Sequence, residues 1–228
     1  MISIIIPFLN EADNLRILLP NLLKQAGNQF ELIFVNDGST DTSEKVLFQE
    51  LKKCKFDPHY QYIEHERQSG IGVAYRSALA VAKGSHVCML ASDNEDNIED
   101  IVKAVKFLRD YDVVMFYNAN SFKVRSRFRR LLSLIFRSYL NYRFGVKALY
   151  LNAMGNLYPI GAIKSIEISS NGFFCLAEIV IKISGKTNSI VHIPRTLGQR
   201  SSGNDKALTL RSLLMIIGDY LKVDFAAK

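Results

Sequence analysis

The chain has few cysteines and no long apolar run. Its 228 residues include three cysteines, Cys54, Cys88 and Cys175, and their spacing matches neither a zinc site nor a disulfide framework. A reducing cytoplasm is therefore the expected environment. No run reaches the roughly 18 uncharged apolar residues that a membrane span requires. The apolar start of the chain lacks the basic region and cleavage site of a signal peptide, so we expect a cytoplasmic protein.

Acidic residues are scarce in the second half of the chain. Residues 1–112 carry 12 Lys/Arg against 17 Asp/Glu, a net charge of −5, whereas residues 113–228 carry 17 against 5, a net charge of +12. Hydrophobic residues make up 48% of the chain, which is enough to bury one large core. We therefore expect one domain over 1–228. Its first half, 1–118, would handle a metal or a sugar, and its second half, 119–228, an anionic partner.

Short β-branched runs alternate with amphipathic segments through the first half. Five such runs predict strands, at 2–6, 30–35, 60–64, 87–91 and 112–117. Strands that alternate with helices predict an α/β fold, a mostly parallel sheet flanked by helices. In the second half, the pattern predicts helices beyond residue 130, over 171–185 and over 208–223, and a strand over 189–194.

An acidic cluster follows the fourth predicted strand. Five carboxylates lie within eight residues, those of Asp93, Glu95, Asp96, Glu99 and Asp100. Carboxylates this close need solvent, a helix N-terminus or a cation. Asn97, followed by Glu99 and Asp100, is typical of a capped helix N-terminus. Ligands of open α/β sheets bind at the carboxyl ends of strands, so Asp93 and Glu95 either extend this cap or hold a divalent cation against a substrate phosphate.

A basic segment, KVRSRFRR at 123–130, opens the second half and leads into an apolar one. Leu131, Ile135, Tyr139 and Tyr142 share one face of the helix predicted there. Such a helix either lies on an anionic membrane surface or packs on the core with a solvated basic face. The 208–223 segment also has an apolar face suited to a partner protein or a membrane. Nucleic acid is not an expected partner, because no nucleic-acid-binding motif is present and the acidic half would repel a phosphate backbone.

Six motifs follow one another along the chain and together span about residues 2–206: IIIPFLNE, VNDGSTDTS, QSGIGVAYRSAL, the acidic cluster, NGFFCLAE and RSSGNDK. In this order they resemble the inverting family 2 glycosyltransferases of the GT-A fold, and most of all the dolichyl- or polyprenyl-phosphate sugar synthases. The resemblance implies a Rossmann-like GT-A sheet with amphipathic C-terminal helices. It also implies transfer of a sugar from a UDP- or GDP-sugar to a polyprenyl phosphate with Mg²⁺ or Mn²⁺, peripherally on the cytoplasmic face of a membrane or beside a membrane partner protein.

The resemblance assigns roles to individual residues of these motifs. It implies donor binding by Pro7, Asn10, Glu11, Asp37, Gly38, Gly70, Gly72, Asp93, Arg200 and Lys206. It implies a metal site at Asp93 and Glu95, and catalytic roles for Asp93, Glu178 and Arg200. These roles are chemically reasonable, since a carboxylate at a strand end, such as Asp37, can accept hydrogen bonds from a nucleobase. Cations on a Gly/Ser-rich loop can close over a diphosphate.

The chain departs from the family pattern at two single positions and matches the family's S-G-F-K/R segment only loosely at Met154-Gly155-Asn156, and two other functions stay open. The usual D-x-D is Ala91-Ser92-Asp93, with Glu95 placed to restore the missing charge, and Asn36 replaces the first Asp of D-D-G-S. One alternative is a polysaccharide glycosyltransferase with a sugar-hydroxyl acceptor. That chemistry needs a general base, and only Glu178 is available at the family's position. The other alternative is a non-catalytic module that binds a nucleotide or a lipid phosphate.

Overall fold

The computed structural model describes residues 1–27, 29–54, 59–120, 127–196, 198, 218–221 and 223, with only the backbone for 127–129. Seven strands occur within these residues. They are β1 (Ile2–Phe8), β2 (Phe30–Asn36), β3 (Tyr60–Glu64), β4 (His86–Met89), β5 (Val113–Asn118), β6 (Tyr158–Pro159) and β7 (Ile190–Arg195).

The described α-helices connect these strands and cover them. They are α1 (Ala12–Ala26), α2 (Ser43–Lys53), α3 (Ile71–Val81), α4 (Ile98–Ala104), α5 (Arg127–Phe144), α6 (Ile160–Lys164) and α7 (Phe174–Ser184). A 3₁₀ turn over Val105–Arg109 continues α4. Residues 218–221 are helical, and most of the helix predicted over 208–223 lies outside the described residues.

The main sheet has five strands in the order β3-β2-β1-β4-β6. The first four are mutually parallel, and the short β6 runs antiparallel to β4. This confirms the predicted α/β fold with a mainly parallel sheet. None of the four parallel strands pairs with the strand predicted over 112–117. That strand, β5, pairs with β7 in a separate two-stranded sheet, and an antiparallel bridge from Val114 to Leu157 connects it to the segment before β6.

Apolar cores cover both faces of the main sheet. On β1, Ile4 and Ile6 lie in the core that contains the leucines of α1, whereas Ile5 lies in the core with Tyr75 of α3 and Phe174 of α7. Successive side chains of a strand point to opposite faces. A strand covered on both faces therefore needs an unbroken apolar run, which explains the ISIII of β1.

Helix α5 has apolar residues on two opposite faces. Its inner face packs into the core through the fully buried Leu140, with Phe136 and Phe144 partly buried beside it. The four residues predicted to share a face lie on the outer side, and all are exposed: Leu131, Ile135, Tyr139 and Tyr142. Helix α5 therefore packs on the core through its inner face, as one of the two alternatives predicts, and leaves these four residues exposed. Among the described residues, no helix combines the length and the apolar character needed to cross a bilayer.

Candidate functional site

The loops that follow β1 and β2 meet at the carboxyl edge of the main sheet. Asn10 adopts a positive φ of 54°, and its side-chain Oδ1 accepts hydrogen bonds from the backbone N–H groups of Thr40 (2.8 Å) and Asp41 (3.2 Å). The backbone N–H of Glu11 donates to Ser43 Oγ at 2.8 Å. Asn10 and Glu11 of the first motif therefore join the two loops. Pro7 lies half-buried within β1.

Asp37 organises the loop after β3. Its Oδ1 accepts the backbone N–H of Ser69 (3.0 Å) and lies 2.8 Å from His65 Nδ1, and its Oδ2 accepts the backbone N–H of Gly70 (2.9 Å). His65 Nε2 lies 3.0 Å from Ser77 Oγ. Asp37 itself is 6% exposed. The structure therefore brings the second and third motifs together through one carboxylate.

Two glycines of the predicted donor site permit close backbone approach. Gly38 has a φ of +77°, and a Cβ there would lie 2.6 Å from the backbone of Arg67 and Gln68. A Cβ on Gly72 would collide with the carbonyl oxygen of Ser170. Gly72 N–H donates to the carbonyl of Asn171 at 2.8 Å. The start of α3 thus lies directly against the loop that precedes α7.

The acidic cluster forms a turn at the same edge, between β4 and α4. Asn97 caps α4 by accepting the N–H of Glu99 at 3.4 Å, as predicted. Asp93 and Glu95 are half-buried, and Asp93 Oδ1 accepts the N–H of Glu95 at 3.1 Å. Within the described part of the chain, no three Asp, Glu, His or Cys side chains converge on one point. Asp93 and Glu95 would therefore supply only part of the oxygen ligands of a divalent cation, and a phosphate and water would have to supply the rest.

Asp96, in the same turn, points inward and pairs with Arg195 at the end of β7. The Asp96 Oδ1 to Arg195 Nη1 distance is 2.7 Å, and both side chains are nearly inaccessible to solvent. Burial raises the pKa of Asp96 to about 6, while the Arg195 guanidinium opposes the rise. Sequence reasoning missed Arg195. An arginine directly after the apolar IVHIP strand was the only sign of it, since a charge there needs a buried partner.

Glu178 is wholly buried in α7 and holds the loop before that helix. Its two carboxylate oxygens accept the N–H groups of Ser169 and Ser170, both at 2.9 Å. Lys182 Nζ lies 2.8 Å from Oε1 and also donates to the carbonyl of Glu167. Glu178 and Lys182 thus form a buried ion pair within α7. Glu178 is 0% exposed, so in this structure it positions the loop and does not face a substrate.

A second cation missed by sequence reasoning, Arg76 of α3, binds the same loop. Its Nη1 donates to the carbonyl oxygens of Ile168 and Ser170, both at 3.0 Å. Asp219 Oδ2 lies 3.3 Å from Ser170 Oγ. The arginine of the AYRSAL stretch was the available signal, since it stands next to the glycines of the third motif.

The basic segment with Arg200 and Lys206 lies outside the described residues. Gly198, which precedes this segment, is described. The N–H of Gly198 donates to the carbonyl oxygen of Glu95 at 2.9 Å, and a Cβ there would lie 3.0 Å from the carbonyl oxygen of Asn94. The chain therefore touches the acidic turn two residues before Arg200.

The model of the family described as glycosyl transferase family 2 matches residues 3–164. The chain belongs to this family. The match includes the first four motifs and all strands of the main sheet.

The fold is GT-A, and solved structures agree with it. Glucosyl-3-phosphoglycerate synthase from Mycobacterium tuberculosis, in complex with Mn²⁺, UDP-glucose and glycerol 3-phosphate, has a TM-score of 0.72 at 17% identity, covering 97% of this chain and 79% of that one. S. aureus TarS 1-349 has a TM-score of 0.64 at 21% identity, covering 86% and 59%.

Curated relatives match over shorter stretches. The uncharacterised glycosyltransferase YibD of Escherichia coli (strain K12) is 32% identical over 41% of this chain and 26% of its own length. An undecaprenyl-phosphate 4-deoxy-4-formamido-L-arabinose transferase of Photorhabdus laumondii is 33% identical over 59% and 41%. The putative teichuronic acid biosynthesis glycosyltransferase TuaG of Bacillus subtilis is 31% identical over 48% and 42%. The chain thus spans less than half the length of these relatives.

Proposed function

We propose that this chain transfers a sugar, with inversion, from a UDP- or GDP-sugar to a polyprenyl phosphate. The observation that carries the proposal is the meeting of three βα loops with the acidic turn, the fourth such loop, at one sheet edge, where the N–H of Gly198, shortly before the basic segment in sequence, donates to the carbonyl of Glu95 in that turn. In the reaction, an acceptor phosphate oxygen forms a bond to the anomeric carbon. The bond from that carbon to the diphosphate oxygen breaks, and the nucleoside diphosphate leaves with the electron pair.

The burial of Glu178 favours a phosphate acceptor over a hydroxyl. A sugar hydroxyl must lose a proton to a base within hydrogen-bond reach. Glu178, the candidate at the family's position, is 0% exposed, and both of its oxygens accept hydrogen bonds. A lipid phosphate is already ionised near neutral pH, so it requires positioning and charge stabilisation more than a base. One curated relative is named as an undecaprenyl-phosphate transferase, which agrees with this acceptor.

Two groups of this chain would handle the charge of the donor. Asp93 and Glu95 would hold Mg²⁺ or Mn²⁺, which when bound would neutralise the charge of the departing diphosphate. Arg200 and Lys206 would bind the same diphosphate and exclude water. Asp37 would bind the nucleobase with the remaining acceptor capacity of its carboxylate, which the hydrogen bonds from residues 69 and 70 hold in place.

The outer face of α5 supports an acceptor in a membrane. The helix contains five arginines and no acidic residue, and Leu131, Ile135 and Tyr142 are 55%, 56% and 91% exposed. An exposed apolar stripe flanked by arginines suits the headgroup region of an anionic leaflet. Two copies of this helix would repel each other at this face, because each copy is strongly basic. We therefore assign the face to peripheral contact with anionic lipid.

A transfer assay tests the proposal. Labelled UDP- and GDP-sugars would be incubated with a short polyprenyl phosphate, or with a sugar-hydroxyl acceptor, in the presence of Mg²⁺ or Mn²⁺. We expect metal-dependent labelling of the lipid phosphate, abolished in Asp93→Ala and retained in Asp110→Ala, whose exposed carboxylate lies outside the acidic turn. Labelling of the hydroxyl acceptor alone would identify a polysaccharide glycosyltransferase. Donor binding without transfer to either acceptor would identify a non-catalytic module.

A further inference from the structure

Arg195 contacts three separate segments of the chain besides its own strand. Its Nη1 lies 2.7 Å from Asp96 Oδ1 and donates to the carbonyl of Met154, also at 2.7 Å. Its Nε donates to Asn118 Oδ1 at 2.9 Å. The guanidinium also lies over the Phe116 ring, 5.6 Å from its centroid. The guanidinium therefore uses most of its N–H donors, and arginine is the only side chain that presents donors in this fixed planar arrangement.

These contacts join the parts that the proposed reaction needs to keep in register. Asp96 belongs to the acidic turn with Asp93 and Glu95. The Met154 segment is joined to the end of β4, since Gly155 N–H donates to the carbonyl of Met89 at 2.6 Å. Strand β7, which carries Arg195, leads through Gly198 into the basic 199–206 segment. One side chain thus links the acidic turn and the Met154 segment beside the end of β4 to strand β7, which precedes the basic segment in sequence.

We propose that Arg195 is a positioning residue that fixes the acidic turn, and so sets its affinity for a divalent cation bound together with a nucleoside diphosphate. Arg195 touches neither the cation nor the nucleotide. It acts through Asp96, and its buried ion pair holds the backbone from which Asp93 and Glu95 project. Groups that orient metal ligands in this way commonly change metal affinity when they are removed. This inference rests on the proposed function, because it concerns the same site.

The test is a double-mutant cycle on Mn²⁺ binding in the presence of UDP or GDP. Free Mn²⁺ would be followed by electron paramagnetic resonance, and unfolding by urea would be measured for every variant. Arg195→Met and Asp96→Asn should each raise the Mn²⁺ dissociation constant by roughly 10- to 100-fold. The double variant should be no worse than the more affected single variant, because both changes break the same contact. Arg195→Lys should give an intermediate value, since an ammonium cannot reproduce the guanidinium's contacts.

Lys164→Met is the matched control. Lys164 also donates to a backbone carbonyl, that of Ala82 at 3.2 Å, but away from the acidic turn, so its Mn²⁺ constant should equal that of the wild type. Unchanged Mn²⁺ constants in Arg195→Lys and Asp96→Asn, with lower unfolding midpoints alone, would overturn the inference even if Arg195→Met does not fold. A wild-type chain that takes up no Mn²⁺ with either nucleotide would instead overturn the proposed function.

Discussion

Single residues of this chain hold loops in place through several backbone contacts at once. Asp37 accepts two backbone N–H groups, Asn10 accepts two more, and Glu178 accepts a further two. An unpaired buried N–H is costly, so each of these side chains fixes the path of the neighbouring loop. A residue carried by a recognisable motif therefore has a structural role here before any ligand is considered.

Gly72 provides a test of close approach at the residue scale. Gly72→Ala should destabilise the fold by roughly 1–3 kcal/mol, because the new methyl group meets the Ser170 carbonyl and the loop must move. Gly161→Ala, in α6, is the control, since no atom lies within 4 Å of the added Cβ. Urea unfolding of the two variants should therefore differ. Equal unfolding midpoints would contradict the packing of α3 on this loop.

Glu31 provides a pH-dependent test away from the site. Burial raises the pKa of this carboxyl, but hydrogen bonds from Ser3, Lys83 N–H and Gln61 outweigh that effect and hold the pKa below its usual 4.5. A lowered pKa in the folded state means that the stabilisation is present above pH 4.5 and is lost as the pH falls through the lowered value. Glu31→Gln should cost about 1–3 kcal/mol at pH 7.

The difference between wild type and Glu31→Gln should shrink below pH 4.5. Urea unfolding from pH 7 to pH 3 measures it, and Glu66→Gln, at an exposed position, should track the wild type throughout. A gap that stays constant or widens toward pH 3 would show that the ionised carboxylate is not the stabilising species.

At the scale of elements, the spacing of apolar residues predicted the helices and strands of the first half, but it did not predict which strands pair. The 112–117 run was correctly predicted to be a strand, yet it pairs with β7 rather than with the main sheet. The apolar residues of this strand would have the same spacing in either sheet, so the sequence pattern does not indicate which strand it pairs with. The two faces of α5 were equally ambiguous, because apolar residues occur on both.

The outer face of α5 allows a matched test of membrane contact. Ile135→Asp should weaken sedimentation with liposomes that contain anionic lipid by several-fold or more, because it places a charge on the apolar stripe. Ile17→Asp on α1 is the control, since Ile17 is 54% exposed and Ile135 is 56% exposed. The unfolding midpoints of both variants should remain close to that of the wild type. If both variants bind as well as the wild type at low salt, the membrane-facing role of α5 is excluded.

At the scale of the whole molecule, the order of motifs predicted the fold, and topology determined which residues meet. Parallel strands place their carboxyl ends at one edge, so the convergence of Asn10, Asp37 and the acidic turn could be expected. The pairing of Asp96 with Arg195 could not, because 99 positions separate them in the chain and no local pattern relates them. The burial of Glu178 was likewise decided by the loop that folds over α7.

A calorimetric titration of UDP and GDP with and without Mn²⁺ tests the nucleotide-sugar site directly. We expect that at least one nucleotide binds more tightly with Mn²⁺ to the wild type and to Asp110→Ala, and that Asp93→Ala loses this metal-dependent gain. Retention of the full gain in Asp93→Ala, or no binding of either nucleotide to the folded wild type, would contradict the assignment of this sheet edge as a nucleotide-sugar site.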